Sequence, residues 1–467
     1  MIATLSLAMG SFVRTAGADR HRSYTPCPMR VTIEDRNDDG RGRGRVGSKI
    51  VLVSQAHPGE TVTMKVDRTT RGTVQGRVAR VEVADPARIE HPCDHAFHCT
   101  GCPLLAAAPA DEAAFKQARV ATAVEAIAGA PVPGEVRRPG GPFGWRHFAK
   151  QVVVRPKARA VLGSYVAGTH QVTDNRGCPV LAPPLADVLS AVGNLADARE
   201  VPVADPASER SGLRHVVARC SRASGEVLVG LVTSEETVDA VRGMAEALHE
   251  AEPSVAGVHV LLDAGGNAIL AGDVVHCAGL ETISEVVLGH RHDVGIKTFF
   301  QVNPDAAETL FRVAMEAAGT GARVVEGHSG IGALTWPLSE RFEQVVAIER
   351  APDSARTLAT GAARYPNVAV VEDDVGACLE AQLSAAPTDV VVFDPPRRGL
   401  DEATIAALAA AGPGRVVLLS CDPSTLARDL PRLAAVGYGV GDITPIDQFP
   451  RTAHVETVTR LDREMTA

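Results

Sequence analysis

The chain has 467 residues, 45% of them apolar and 22% charged, which exceeds one ordinary core and implies two or three packed domains. A net charge of −9 weighs against a general nucleic-acid binder, and nine cysteines in a long chain argue against a disulfide framework. No apolar run approaches bilayer length, and the apolar stretch within Met1–Val13 has no basic segment before it; no membrane span and no secretory signal are expected, and a cytoplasmic location is.

Residues 1–28 lack periodic patterning and are expected to be disordered, with Met29 an alternative start of translation. Residues 29–86 read as short strands between turns. Val31–Ile33, Lys49–Val53, Thr61–Val66 and Gly76–Val83 are separated by Asp39-Gly40 and Pro58-Gly59, which predicts a small β-barrel of OB-like size or another small sandwich. Arg30–Arg80 holds eleven Lys and Arg against six Asp and Glu, a local basic module on an acidic chain. A cysteine cluster follows within 87–110, then a helix over Asp111–Ala128. Strands at Gln151–Val154, Glu226–Val232 and Val258–Leu262 and a helix over Glu236–Glu252 make 87–290 a central α+β domain. From 291 to 467 the pattern alternates. Strands at Val324–Glu326, Gln344–Ile348, Val368–Val371, Asp389–Phe393 and Arg415–Leu419 are separated by helices, the signature of a doubly wound, mostly parallel sheet.

Chemistry-bearing residues fall at the ends of these strands. Glu326-Gly-His-Ser-Gly330-Ile-Gly332 lies between a strand and a helix, where glycines let the backbone approach a ligand. Glu349 ends the next strand and can bond both hydroxyls of a ribose. Asp373-Asp374 follows the third strand, where adenine contacts fall, so the three together predict an adenosine-bearing cofactor. No phosphate-loop lysine is present, which argues against a nucleoside triphosphate. Asp394-Pro-Pro-Arg397 is a stiff loop suited to holding a substrate base, or a plain turn.

Cys421 follows the fifth strand and precedes a helix, on the edge where open α/β sheets bind ligands. A helix N-terminus lowers a thiol pKa, and Arg428 on that helix adds positive potential. Glu456 is a carboxylate within the apolar strand Ala453–Val458, which is either a residue of the wet face or a general base. Cys93, Cys99 and Cys102 are spaced as metal ligands, with Cys178 the best fourth; four thiolates suit a [4Fe–4S] cluster or Zn. Cys27, Cys220, Cys277 and Cys378 read as ordinary cysteines.

These motifs together resemble the bacterial RNA uracil-C5 methyltransferases, which form 5-methyluridine in ribosomal and transfer RNA. The resemblance spans residue 29 to the C-terminus and rests on Phe299-Phe-Gln301-Val-Asn303, Gly330-Ile-Gly332, Asp394-Pro-Pro-Arg397, Ser420-Cys421-x-Pro423-x-Thr425-Leu-Ala-Arg428-Asp429 and His454-Val-Glu456-Thr-Val. It implies a Rossmann-like class I methyltransferase domain, an N-terminal TRAM barrel that binds RNA, and a central iron–sulfur domain, with iron favoured over zinc. S-adenosylmethionine is then held by Gln301, His328, Gly330, Glu349, Asp374 and Asp394. Cys421 is the nucleophile and Glu456 the base, while Arg146, Lys150 and Arg397 face RNA. Residues 111–142 are implied to fold back onto the catalytic domain. His328 stands where the family carries an aromatic residue, and Asp422 where it carries Asn.

The implied reaction is methyl transfer to carbon 5 of a uridine in structured RNA, through a covalent bond between Cys421 and carbon 6. Ribosomal RNA is favoured over transfer RNA because barrel and cysteine set occur together, and no obligate protein partner is implied. The rivals are an amino methyltransferase, which needs no such cysteine, and a non-catalytic RNA-binding or assembly factor that keeps the fold.

Overall fold

The computed structural model describes residues 28–464 except Ala128, 206–209 and Asn267. The expectations for Cys27 and, Pro28 apart, for the N-terminal segment lie outside the described residues.

Strands β1 (Met29–Arg36), β2 (Gly42–Val46), β3 (Lys49–Ser54), β4 (Thr61–Thr69) and β5 (Thr73–Val83) close a barrel in the order β1-β2-β3-β5-β4. Alternate residues such as Val31, Ile33, Val51, Val53, Val62 and Met64 fill its interior, as a half-buried strand requires. Small residues are needed where strands cross closely: a side chain on Gly44 or Gly76 would meet a neighbouring carbonyl oxygen at 2.2 or 2.1 Å.

The cysteine segment leads into helix α1 (Pro109–Val124). The helix begins two residues earlier than its acidic residues suggested, because proline fits the first turn, where no N–H partner is required. It also stops at Val124, short of the predicted Ala128. Val120 and Val124 pack among Leu426, Leu430 and Leu433, and Gly134 and Arg137 donate backbone hydrogen bonds to Ile443 and Pro445. This stretch therefore lies against the C-terminal sheet.

The central domain holds β6 (Phe148–Val154), β7 (Val161–Tyr165), β8 (Val172–Asp174), β9 (Leu213–Cys220), β10 (Val227–Thr233), β11 (Val255–Leu262) and β12 (Val274–Gly279), with helices α2 (Pro183–Ala198) and α3 (Val238–Ala251). The seven strands form one sheet in the order β12-β11-β10-β9-β6-β7-β8, and the two helices bury their apolar stripes against it. A hairpin of β13 (Thr282–Val287) and β14 (His290–Gly295) straddles residue 290. Ile283 packs with the central sheet, Val287 and Val294 with the core of the C-terminal α/β domain.

Helix α4 (Pro304–Ala318), capped by the Asn303 side chain, leads into β15 (Gly321–Gly327). Then follow α5 (Thr335–Ser339), β16 (Phe342–Glu349), α6 (Pro352–Ala362), β17 (Val368–Glu372), α7 (Val375–Ala385), β18 (Val390–Phe393), α8 (Glu402–Ala411), β19 (Arg415–Ser420), α9 (Pro423–Ala435), β20 (Tyr438–Ile446) and β21 (Glu456–Arg463). The sheet order is β17-β16-β15-β18-β19-β21-β20, with β21 antiparallel to both of its neighbours, β19 and β20, and the remaining pairs parallel. Strand order reverses between β15 and β18, and ligands bind open α/β sheets beyond the strand ends at such a point. Among the described residues no helix is long and apolar enough to cross a membrane.

Candidate active site

A cavity of about 510 Å³ opens at the C-terminal ends of β15, β16, β18 and β19. It brings together Gln301, His328, Gly330, Glu349, Asp374, Asp394, Arg397, Cys421 and Glu456. Arg146 and Lys150 are not on its wall.

The floor is the turn after β15. His328 has φ +63° and Gly330 φ +58°, left-handed geometry that turns the chain sharply out of the strand. Gly332 is required by packing, since a side chain there would meet the Trp336 ring at 2.5 Å. Glu349 holds the turn from the next strand. Its carboxylate accepts the N–H groups of Gly330 at 2.9 Å and Ala351 at 2.6 Å. Burial holds the His328 imidazole neutral, lowering its pKa to about 4. Asp374 caps α7 by accepting the Gly376 N–H at 3.1 Å and pairs with Arg350 at 3.4 Å.

The reactive end is set by two strands. The β19–β21 ladder ends with Ser420 paired to Thr457, and Cys421 and Glu456 are the next residue beyond that pair on each chain segment. Glu456 is 5% exposed. Burial, with a smaller push from Asp394, raises its carboxyl to about 8, while Arg397 lowers it. Burial alone lifts Asp394 to about 6.

The Cys421 thiol is pushed up to about 12, first by burial and then by Glu456. The expected lowering by the helix N-terminus is therefore outweighed by desolvation. Arg428 is not the compensating cation either. It is drawn away to Asp429 and the Arg398 carbonyl, and Arg397 is the cation acting on Cys421. Asp422 raises the thiol less than Glu456 or Asp394 does. Its carboxylate caps α9 instead, accepting the Ser424 N–H at 2.7 Å and hydroxyl at 2.6 Å. Burial raises Asp422, but those bonds keep it below its ordinary value.

Sequence reasoning assigned no role to Phe449, which lines the cavity, or to the buried Glu326. Glu326 accepts the Thr335 hydroxyl at 2.5 Å and is raised to about 8 by burial. Its place as the last charge in an apolar strand before a glycine turn was the available signal.

Elsewhere, the cysteine segment is clamped between barrel and central sheet. The His98 carbonyl accepts from Arg77 at 3.1 Å and Thr173 at 2.5 Å, and Gln55 donates to the Cys99 carbonyl at 3.3 Å. Burial pushes up the thiols of Cys93, Cys102 and Cys178, and each is raised further by neighbouring thiols of the set of four. The half-buried Arg146, stacked over Trp145 at 5.0 Å, feels Cys102 and Cys178. Lys150 lies 5.5 Å from the Phe148 ring centre. Among the described residues no group of three or more His, Cys, Asp or Glu side chains is arranged to hold a metal ion.

Residues 379–464 match the family model described as tRNA (Uracil-5-)-methyltransferase, and residues 28–79 match the TRAM domain. An uncharacterized RNA methyltransferase of Halalkalibacterium halodurans is 31% identical over 93% of this chain and 96% of its own length. One from Gloeobacter violaceus is 32% identical over 93% and 95%. The chain belongs to the RNA uracil-5-methyltransferase family. It is an S-adenosylmethionine-dependent RNA methyltransferase, and its N-terminal barrel is a TRAM domain. Among solved structures it is similar to a Pyrococcus abyssi tRNA (uracil-54, C5)-methyltransferase in complex with S-adenosyl-L-homocysteine. The TM-score is 0.73 and the identity 22%, covering 93% of this chain and 99% of that one, a likeness of fold. In this methyltransferase Gly330, Glu349, Asp374, Asp394, Cys421 and Glu456 all line the one cavity.

Proposed function

We propose that the enzyme methylates carbon 5 of a uridine in structured RNA, with Cys421 as nucleophile and Glu456 as general base. The observation that carries this reading is a thiol and a buried carboxyl brought to one cavity by adjacent strands, Cys421 just past the end of β19 and Glu456 at the start of β21. Carbon 5 of uracil is a weak nucleophile. Cys421, its thiol proton released to solvent, adds as thiolate to carbon 6 and makes the ring an enolate, whose carbon 5 takes the methyl group from the sulfonium donor. Carbon 5 then carries a methyl group and a hydrogen. Glu456 removes that hydrogen as a proton, the C5=C6 bond reforms, and Cys421 leaves as a thiolate. Arg397 offsets the carboxylates around the sulfur and stabilises its anion.

Gln301, His328, Gly330, Glu349, Asp374 and Asp394 are the contacts proposed for the methyl donor. Glu349 presents its remaining lone pairs to the ribose, and the neutral His328 offers a flat ring face in place of an aromatic residue. The target base leaves its stack to enter, and the barrel, with Arg146 and Lys150 as further candidates, grips the surrounding single strand.

Cys93, Cys99, Cys102 and Cys178 are proposed to hold a [4Fe–4S] cluster. Each thiolate of such a cluster binds a different iron, so the four need not converge on one ion, and their mutual electrostatic influence fits that donor set. The cluster's part is structural, a cross-link between barrel and central sheet. Ribosomal RNA is the favoured substrate, since barrel and cysteine set occur together.

Incubation with methyl donor and 5-fluorouridine-containing RNA tests the reading. A denaturation-resistant protein–RNA adduct that is lost in Cys421→Ala supports it. No adduct with either ribosomal or transfer RNA would sink it. Mapping 5-methyluridine in RNA of a deletion strain identifies the target.

A further inference from the structure

Glu456 is entered from an irregular loop. Residues 447–455, between β20 and β21, form no ladder, and Arg451 within them is buried with φ +68°. A non-glycine residue in that region holds its conformation only where surrounding contacts over-determine it. The contacts come from α1. Glu112, Lys116 and Arg119 lie on one face of that helix, at i, i+4 and i+7.

Lys116 is fully buried, and its ammonium donates to Glu112 at 2.9 Å, Asp447 at 2.5 Å and the Phe449 carbonyl at 3.2 Å. These exhaust its three donors. Glu112 accepts the Arg451 N–H at 2.6 Å and pairs with its guanidinium at 3.4 Å. Arg138 bridges Glu112 and Asp447 at 3.4 Å each. Arg119, which is only half-buried, donates to the Ala453 carbonyl at 2.5 Å, three residues before Glu456. A helix packed only for stability would place apolar residues at these positions; here every polar group on the stripe ends on the loop.

We propose that α1 positions the general base. Lys116 and Arg119 act as positioning residues that fix the loop, and through it the Glu456 carboxyl, for the elimination step rather than for addition or methyl transfer. The inference rests on the reading of Cys421 and Glu456 as nucleophile and base. In the step concerned the C5–H pair becomes the C5=C6 bond, the C6–S pair returns to Cys421 as thiolate, and the proton passes to Glu456. With 5-fluorouridine there is no proton on carbon 5 to remove. The adduct then forms and persists whether or not the base is well placed.

The two substrates therefore separate the steps in the full-length enzyme. Arg119→Met is expected to trap 5-fluorouridine RNA at the wild-type rate. On ordinary uridine RNA its turnover is expected to fall on the order of 10-fold or more, with methylated covalent adduct accumulating. Arg119→Lys, which keeps a donor, is expected to restore turnover. Lys116→Met is expected to show the same split wherever it folds, and Arg119 carries the test where it does not. Equal loss of trapping and turnover in Arg119→Met would overturn the proposal, as would no loss of either. If the unsubstituted enzyme traps no adduct, the nucleophile reading fails first and this proposal falls with it, an outcome distinguished by requiring no substitution.

Discussion

The Glu349 carboxylate accepts the backbone N–H of Gly330 at 2.9 Å, joining the end of β16 to the glycine turn that follows β15. These two parts of the cavity wall are thus one hydrogen-bonded unit. Glu349→Ala is expected to weaken S-adenosylhomocysteine binding about 10- to 100-fold, the worth of a charge-assisted hydrogen bond. Calorimetric titration of the folded variant checks it, and an unchanged Kd would remove Glu349 from the cofactor site.

Glu456→Gln is expected to abolish turnover while raising thermal stability at alkaline pH. The folded-state pKa of about 8 lies above the ordinary glutamate value of 4.5, so the folded state favours the protonated form. That contribution is complete below about pH 4.5 and lost as pH rises through about 8. A neutral amide avoids the loss. The Tm gain over wild type is therefore small near pH 5 and largest above pH 8, and a gain independent of pH would contradict the assignment.

Turnover is expected to rise with pH between about 7 and 9, because the base proposed, Glu456, must be a carboxylate and burial raises its pKa to about 8. Arg397 lowers the pKa of both Glu456 and Cys421. In Arg397→Gln the rising limb should move to higher pH. A kcat/KM profile with donor and RNA varied in turn measures it; a limb that stays in place would confine Arg397 to RNA contact.

Protein isolated without oxygen is expected to contain about four irons and four sulfides per chain, as a cluster bound by four cysteines requires. Cys102→Ser should lose them and melt at lower temperature, since this thiol segment joins barrel and central sheet. Elemental analysis decides between iron and zinc.

The barrel's excess of basic residues should act through phosphates. Replacing Arg45 and Arg71, both exposed, with Ala is expected to weaken RNA binding and to reduce the log–log salt slope by about 0.7 per lost contact. Loss of affinity with an unchanged slope would place those residues outside the phosphate track.

Strand-end chemistry was legible in the sequence because short contiguous motifs encode it. The glycine turn at 330–332, Glu349 one strand later, the Asp394 loop and Cys421 before a capped helix are each fixed by local backbone needs, so each could be assigned to a strand end, while the lateral order β17-β16-β15-β18-β19 differs from chain order and came from the fold. The barrel followed from strand alternation and turn residues in the same way. What only the tertiary structure decided depends on contacts far apart in sequence. Lys116 reaches Asp447 across 331 residues, and nothing in the spacing of α1 shows that its polar stripe faces a catalytic loop rather than solvent. The state of Cys421 was likewise not readable: the helix N-terminus beside it is local, but the burial and the Glu456 carboxyl that outweigh it come from the cavity and from β21. The sequence by itself determined which chemical groups stand at which strand ends, because local backbone geometry places them. The fold decided their protonation and which elements hold them in place, because desolvation and long-range ion pairs exist only once the chain has packed.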